Sequence, residues 1–75
     1  MSQITLDFAI PNVYYVYMEA KTIKQIRTGL KESQTVFATR FGYTRDAIAK
    51  WESGERRPIG LSVGYLKRLH KRLGL

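Results

Sequence analysis

The chain contains no cysteine. That excludes a disulfide framework, a thiolate metal site and a cysteine nucleophile, and it fits a reducing compartment. Its single histidine, His70, excludes a multi-histidine metal site. The longest unbroken apolar run, Val13–Met18, is far short of the ~20 residues that span a bilayer. No basic stretch of the secretory kind opens the chain, and Asp7 stands there instead. The expectation is a cytoplasmic protein with no membrane segment, no metal and no cofactor. Acidic residues are also scarce. Six Asp and Glu stand against 13 Lys and Arg, a net charge of +7.

That charge is divided along the chain. Residues 1–20 hold Asp7 and Glu19 and no Lys or Arg, whereas residues 21–75 hold every basic residue and four acids. A basic unit of this size fits a polyanionic partner, with a merely solvated surface as the alternative. With 75 residues, the chain makes one small domain that buries only ~60% of its unfolded surface, so a partner or a second copy is an expected source of stability.

Two organisational units follow, an extension over residues 1–19 and a domain over 20–75. In the first, Ile4, Leu6, Phe8 and Ile10 alternate with Gln3, Thr5, Asp7 and Ala9, the period of a half-buried strand. Pro11-Asn12 breaks the run, and the β-branched and aromatic stretch Val13–Met18 reads as a second strand. The expectation is an N-terminal β-strand or hairpin extension over residues 3–18. Tyr14, Tyr15 and Tyr17 lack interleaved basic residues, so core or interface is preferred over base stacking for them.

From Thr22 the period becomes helical. Thr22-Ile23-Lys24-Gln25 matches a capping box, and Ile23, Ile26 and Leu30 share one face. Ser33 is a candidate N-cap for a helix over Gln34–Phe41, which Gly42 stops. Thr44 is a candidate N-cap for a helix over Arg45–Glu52. Pro58 marks a loop, and a last helix is expected from about Gly60 to Leu73, with Leu61 or Ser62, Tyr65, Leu66, Leu69 and Leu73 as its apolar stripe. Gly64 lies inside it, where glycine costs about 1 kcal/mol.

Two short helices joined by Gly42-Tyr43-Thr44 have helix-turn-helix proportions. Counting from Gln34, the fifth position, Ala38, is small where the second helix crosses. The ninth, Gly42, suits a left-handed turn. Phe37, Phe41, Tyr43, Ile48 and Trp51 fall on the core side. The alternative is a helical hairpin in an unrelated bundle.

The text from Ile23 to Gly74 resembles the lambda-repressor/Cro-type (XRE) helix-turn-helix family. The matching residues are Ile26-Arg27 with Leu30, then Ser33-Gln34 and Phe37-Ala38, then Phe41-Gly42 with Thr44, and finally Ile48, Trp51-Glu52, Gly54 and Arg56-Arg57-Pro58. Within the family it is most similar to short HigA-type antitoxins. It departs at Glu32, where an apolar residue is common, and at Tyr43, and residues 1–18 have no counterpart. The resemblance implies a mainly α, four- to five-helix bundle whose third helix enters the major groove.

It also implies roles. Arg45, Asp46, Ala49 and Lys50 would face bases. Arg45 suits guanine O6 and N7, Asp46 a cytosine amino group, and Ala49 a thymine methyl. For Asp46 the preferred alternative is to favour the helix N-terminus or orient Arg45. Gln34, Arg40, Tyr43, Thr44, Arg56 and Arg57 would meet phosphates, which set register without reading sequence. Each of these residues has the alternative of simple solvation. Arg27 and Glu52 would form an internal ion pair, Trp51 would be core, and His70 a surface residue. Leu66, Leu69, Leu73 and Leu75 are candidates for a dimer interface, as is edge pairing of the hairpin.

The expected function is a sequence-specific, double-stranded DNA-binding transcriptional regulator. It would be a homodimer that represses its own operon from a palindromic operator. The alternative is a HigA-type antitoxin that also neutralises a toxin protein through its acidic, aromatic N-terminal segment. No catalytic set or phosphate-cradling glycine loop is present in the sequence, so an enzyme is not expected.

Overall fold

A computed structural model describes residues 18–75 of the chain. Apart from Met18, the expected hairpin over residues 3–18 lies outside the described residues. Among the described residues there are four helices and no strand: α1 Ala20–Gly29, α2 Gln34–Thr39, α3 Arg45–Ser53 and α4 Leu61–Leu73.

The mainly α reading holds, with local corrections at the helix ends. The capping box at Thr22 does not form. α1 begins at Ala20, and the N-cap is Glu19, whose carbonyl accepts from the Thr22 and Ile23 N–H groups at 3.1 Å. Ala20 and Lys21 are good helix formers, so the helix extends back past Thr22. α2 keeps its expected start, where Ser33 Oγ accepts from the Val36 N–H at 3.1 Å, but its regular turns end at Thr39. The chain there closes in a Schellman arrangement. The Tyr43 N–H donates to the Ala38 carbonyl at 3.1 Å, and the Gly42 N–H donates to the Thr39 carbonyl at 3.3 Å. Gly42 makes this possible at φ +71°, a region that costs an L-residue about 1–2 kcal/mol. α3 runs one residue beyond expectation and ends on Gly54 at φ 83°.

One core joins the four helices. Ile23 and Ile26 of α1, Phe37 and Ala38 of α2, Ile48 and Trp51 of α3, and Leu66 and Leu69 of α4 are all buried. Burial of each large apolar side chain contributes about 1.5–3 kcal/mol. Ala38 is buried where α2 and α3 pack together, as its small size anticipates. Phe41 bridges the layers, with its ring centroid 5.1 Å from Phe37, 5.2 Å from Trp51 and 5.2 Å from Tyr65.

The stripe of α4 differs from expectation at its start. Val63 faces inward, and Leu61 is 94% exposed. The rotation follows from Leu66 and Leu69, since Val63 lies three residues before Leu66 on the same face. Leu66 and Leu69 are buried in the protein's own core, which removes both from the candidate dimer surface. Leu73 is partly buried against that core, and only Leu75 of the four is exposed. His70 is half-buried rather than a plain surface residue.

Candidate nucleic-acid interface

The turn after α2 fixes where α3 points. Thr44 adopts extended backbone, and its Oγ1 accepts from the Ala47 N–H at 3.2 Å. Capping of this kind is worth about 1 kcal/mol. It leaves Arg45 and Asp46 as the first exposed residues of α3, while Ile48 and Trp51 anchor the opposite side in the core. Ala49 and Lys50 are half-buried one turn on. Helical spacing therefore sets Arg45, Asp46, Ala49 and Lys50 on the side away from the core anchors.

On that face Asp46 and Lys50 pair with each other. Lys50 Nζ stands 3.2 Å from Asp46 Oδ2, and the two side chains are 35% and 75% exposed respectively. The spacing of four residues is visible in the sequence, whereas the expectation has Asp46 favour the helix N-terminus or orient Arg45. Asp46 does lie in the first turn of α3, and its ion-pair partner is Lys50. Among the described residues Arg45 makes no ion pair.

Behind α3 an ion pair ties it to α1. Arg27 Nε donates to Glu52 Oε2 at 2.6 Å, and Arg27 Nη2 donates to Glu52 Oε1 at 3.1 Å. Both side chains are largely shielded. The hydrogen bond to Glu52 raises the Arg27 pKa above its ordinary value, against the opposing effect of burial. Gln34, at the start of α2, donates from Nε2 to Glu52 Oε1 at 3.2 Å. Its amide thus has a protein partner in addition to any external acceptor, and one amide hydrogen remains for such an acceptor.

A groove of about 350 Å³ flanks the recognition side. Its floor is Ala47, Trp51 and Pro58, and Tyr43, Arg56 and Arg57 stand at its rim with Ile59. Tyr43 is 44% exposed, so it is not the core residue the spacing implies. One side of its ring packs on Trp51 at 5.4 Å. The structure thus brings Tyr43, Arg56 and Arg57 together beside α3.

Arg40 is placed differently. Its Nε and Nη2 hold Glu32, the shortest contact being 2.6 Å, and its Nη1 donates to Tyr65 Oη at 2.9 Å. The hydrogen bond from Arg40 holds the Glu32 carboxyl below its ordinary pKa. Bonds to Glu32 and then Tyr65 push the Arg40 pKa upward. This cluster fastens the loop before α2, the end of α2 and α4 to one another, so Arg40 has a structural role in addition to the expected phosphate contact. Sequence reasoning missed Tyr65 as its partner. It noted Glu32 as a departure without seeing that an acid there requires a nearby cation.

Comparison with known proteins agrees with this geometry. The family model described as helix-turn-helix matches residues 23–75. No curated protein and no solved structure matches the chain.

Proposed function

We propose, from the premise that this chain belongs to the helix-turn-helix family, that it is a homodimeric repressor of its own operon. Helix-turn-helix domains are DNA-binding modules of transcription regulation, and they are not enzymes. The carrying observation is the Thr44-capped α3, anchored by Ile48 and Trp51 with Arg45, Asp46, Ala49 and Lys50 on the other side.

In this reading α3 enters the major groove of double-stranded DNA. Arg45 donates two hydrogen bonds to a guanine edge, worth about 1–3 kcal/mol of discrimination. Ala49 leaves space for a thymine methyl, and Lys50 reaches a base or a phosphate. Gln34, Tyr43, Thr44, Arg56 and Arg57 hold the backbone on either side and set the register. Two copies on an inverted repeat would place their α3 helices about 34 Å apart. Apolar exposure at Ile59, Leu61 and Leu75 supports a second copy as the partner. Repression needs no chemistry, because occupancy of the promoter excludes the polymerase.

A second reading is an antitoxin that also represses. It is supported by the contrast between residues 1–20, which lack Lys and Arg, and the basic remainder. Such a segment suits a basic protein partner better than DNA.

The test is binding to a duplex from upstream of the protein's own gene against a shuffled duplex, at about 0.15 M salt. A preference of about 10³ or more, with two chains per duplex, is the expected result. Equal, salt-sensitive binding to both would overturn autorepression by this protein alone.

A further inference from the structure

The reading face of α3 carries an acid, and an acid there is repelled by every phosphate. Asp46 is 75% exposed and lies within 3.2 Å of the Lys50 ammonium. The acid precedes the base by four residues, the favourable order on a helix. An exposed pair of this type holds its two ends together by a factor of only about two in water. It is therefore formed in the free protein and easily exchanged for a better partner.

Two exchanges are open to Lys50 and only one to Asp46. A phosphate attracts the ammonium but leaves the carboxylate unpaired in a negative field. A base that presents an amino group in the major groove, cytosine N4 or adenine N6, gives the carboxylate a donor of its own. Only then is Lys50 free to leave without stranding Asp46.

We propose that Asp46 is a specificity-determining residue that acts through Lys50. Its carboxylate withholds the ammonium from phosphates and releases it where an amino-bearing base takes its place. Non-specific sites then hold one cationic contact more weakly, and the correct site keeps it in full. This rests on the DNA-binding reading above, and it assigns Asp46 a positioning role toward Lys50 rather than toward Arg45.

A four-protein cycle tests it: the parent, Asp46→Asn, Lys50→Gln and the double variant. Each is titrated with the shuffled duplex over a range of salt. With Lys50 in place, Asp46→Asn should tighten shuffled-duplex binding about 2- to 3-fold at low salt, the factor by which so weak a pair can withhold the ammonium, and steepen the salt slope by up to about 0.9, the value of one full phosphate contact. In the Lys50→Gln background the same substitution should gain clearly less and leave the slope nearly unchanged, because only the direct repulsion between Asp46 and the phosphates remains to be relieved. Asp46→Glu, which keeps the charge, should restore the parent slope. On the duplex from upstream of the gene, Asp46→Asn should gain less than on the shuffled one, so the preference falls. Thermal melting of each variant confirms that the fold is intact.

An equal effect of Asp46→Asn in both backgrounds would overturn the inference, because Asp46 would then act by direct repulsion. No change in slope would overturn it as well. A parent protein without preference for its own upstream duplex would overturn operator reading, and the shuffled-duplex cycle would still decide the role of Asp46.

Discussion

Arg27 and Glu52 lie 25 residues apart and meet through two hydrogen bonds, Nε to Oε2 at 2.6 Å and Nη2 to Oε1 at 3.1 Å. The same guanidinium donates from Nη1 to the Glu32 carbonyl at 2.7 Å. One side chain thus fixes α1, α3 and the loop before α2. Removing one partner strands a shielded charge. Arg27→Ala should destabilise the fold by about 2–4 kcal/mol in urea unfolding, and the double variant Arg27→Met, Glu52→Leu should recover much of that loss. If the double variant is as unstable as the sum of the single ones, the pair has no coupling and the assignment fails.

Glycine positions give opposite outcomes for one substitution. A Cβ at Gly42 meets nothing within 4 Å, but the backbone there has φ +71°, so Gly42→Ala should cost about 1 kcal/mol through strain alone. Gly64 lies in α4 at ordinary helical φ, with the nearest atom to a new Cβ at 4.0 Å. Gly64→Ala should therefore stabilise by about 0.5–1 kcal/mol. Thermal unfolding of the two variants should move the midpoint in opposite directions.

Acid should weaken the clamp between the loop and α2. Glu32 titrates below its ordinary value of 4.5 because Arg40 bonds its carboxylate. As pH falls, the unfolded chain takes up this proton before the folded one. The stability due to the pair is therefore complete above the unfolded value and is lost as pH falls through the lower folded value. Glu32→Gln should lower stability by about 0.5–1 kcal/mol at pH 7, and the gap from the parent should close as pH drops toward 3. A gap independent of pH would point to lost packing instead.

Local chemistry made much of the fold legible. Ser33, Gly42 and Thr44 act at one end of a helix or turn, and a side chain that bonds the backbone within three residues leaves its mark in adjacent text. The Arg27–Glu52 pair was legible only through resemblance, because nothing in the spacing brings residues 25 apart together. Glu32, Arg40 and Tyr65 come from three separate segments, and their meeting is a product of packing. The apolar content of α4 was plain, but Leu66 and Leu69 could not be told from surface leucines until the core showed which side of α4 is inside. At the candidate site the sequence places Lys50 and Asp46 on the same helix, with Asp46 at the helix N-terminus where the structure has it, but it does not show that the acid pairs with Lys50 rather than with Arg45. Adjacent residues project about 100° apart on a helix, whereas residues four apart share a face.

Two arginines on the basic side should separate reading from holding. Arg45 begins α3, and Arg56 stands at the rim of the groove beside it. A base contact exists only at the correct site, so Arg45→Ala should weaken binding to the upstream duplex by about 1–3 kcal/mol and leave shuffled-duplex binding nearly unchanged. A phosphate contact exists on every duplex. Arg56→Ala should weaken both to a similar degree and reduce the salt slope by about 1. The two patterns are distinguished by titrating each variant with both duplexes at several salt concentrations. Equal losses on both duplexes for Arg45→Ala would reassign Arg45 to the backbone, and sequence discrimination would then have to come from the remaining residues of the α3 face or from the deformability of the DNA itself.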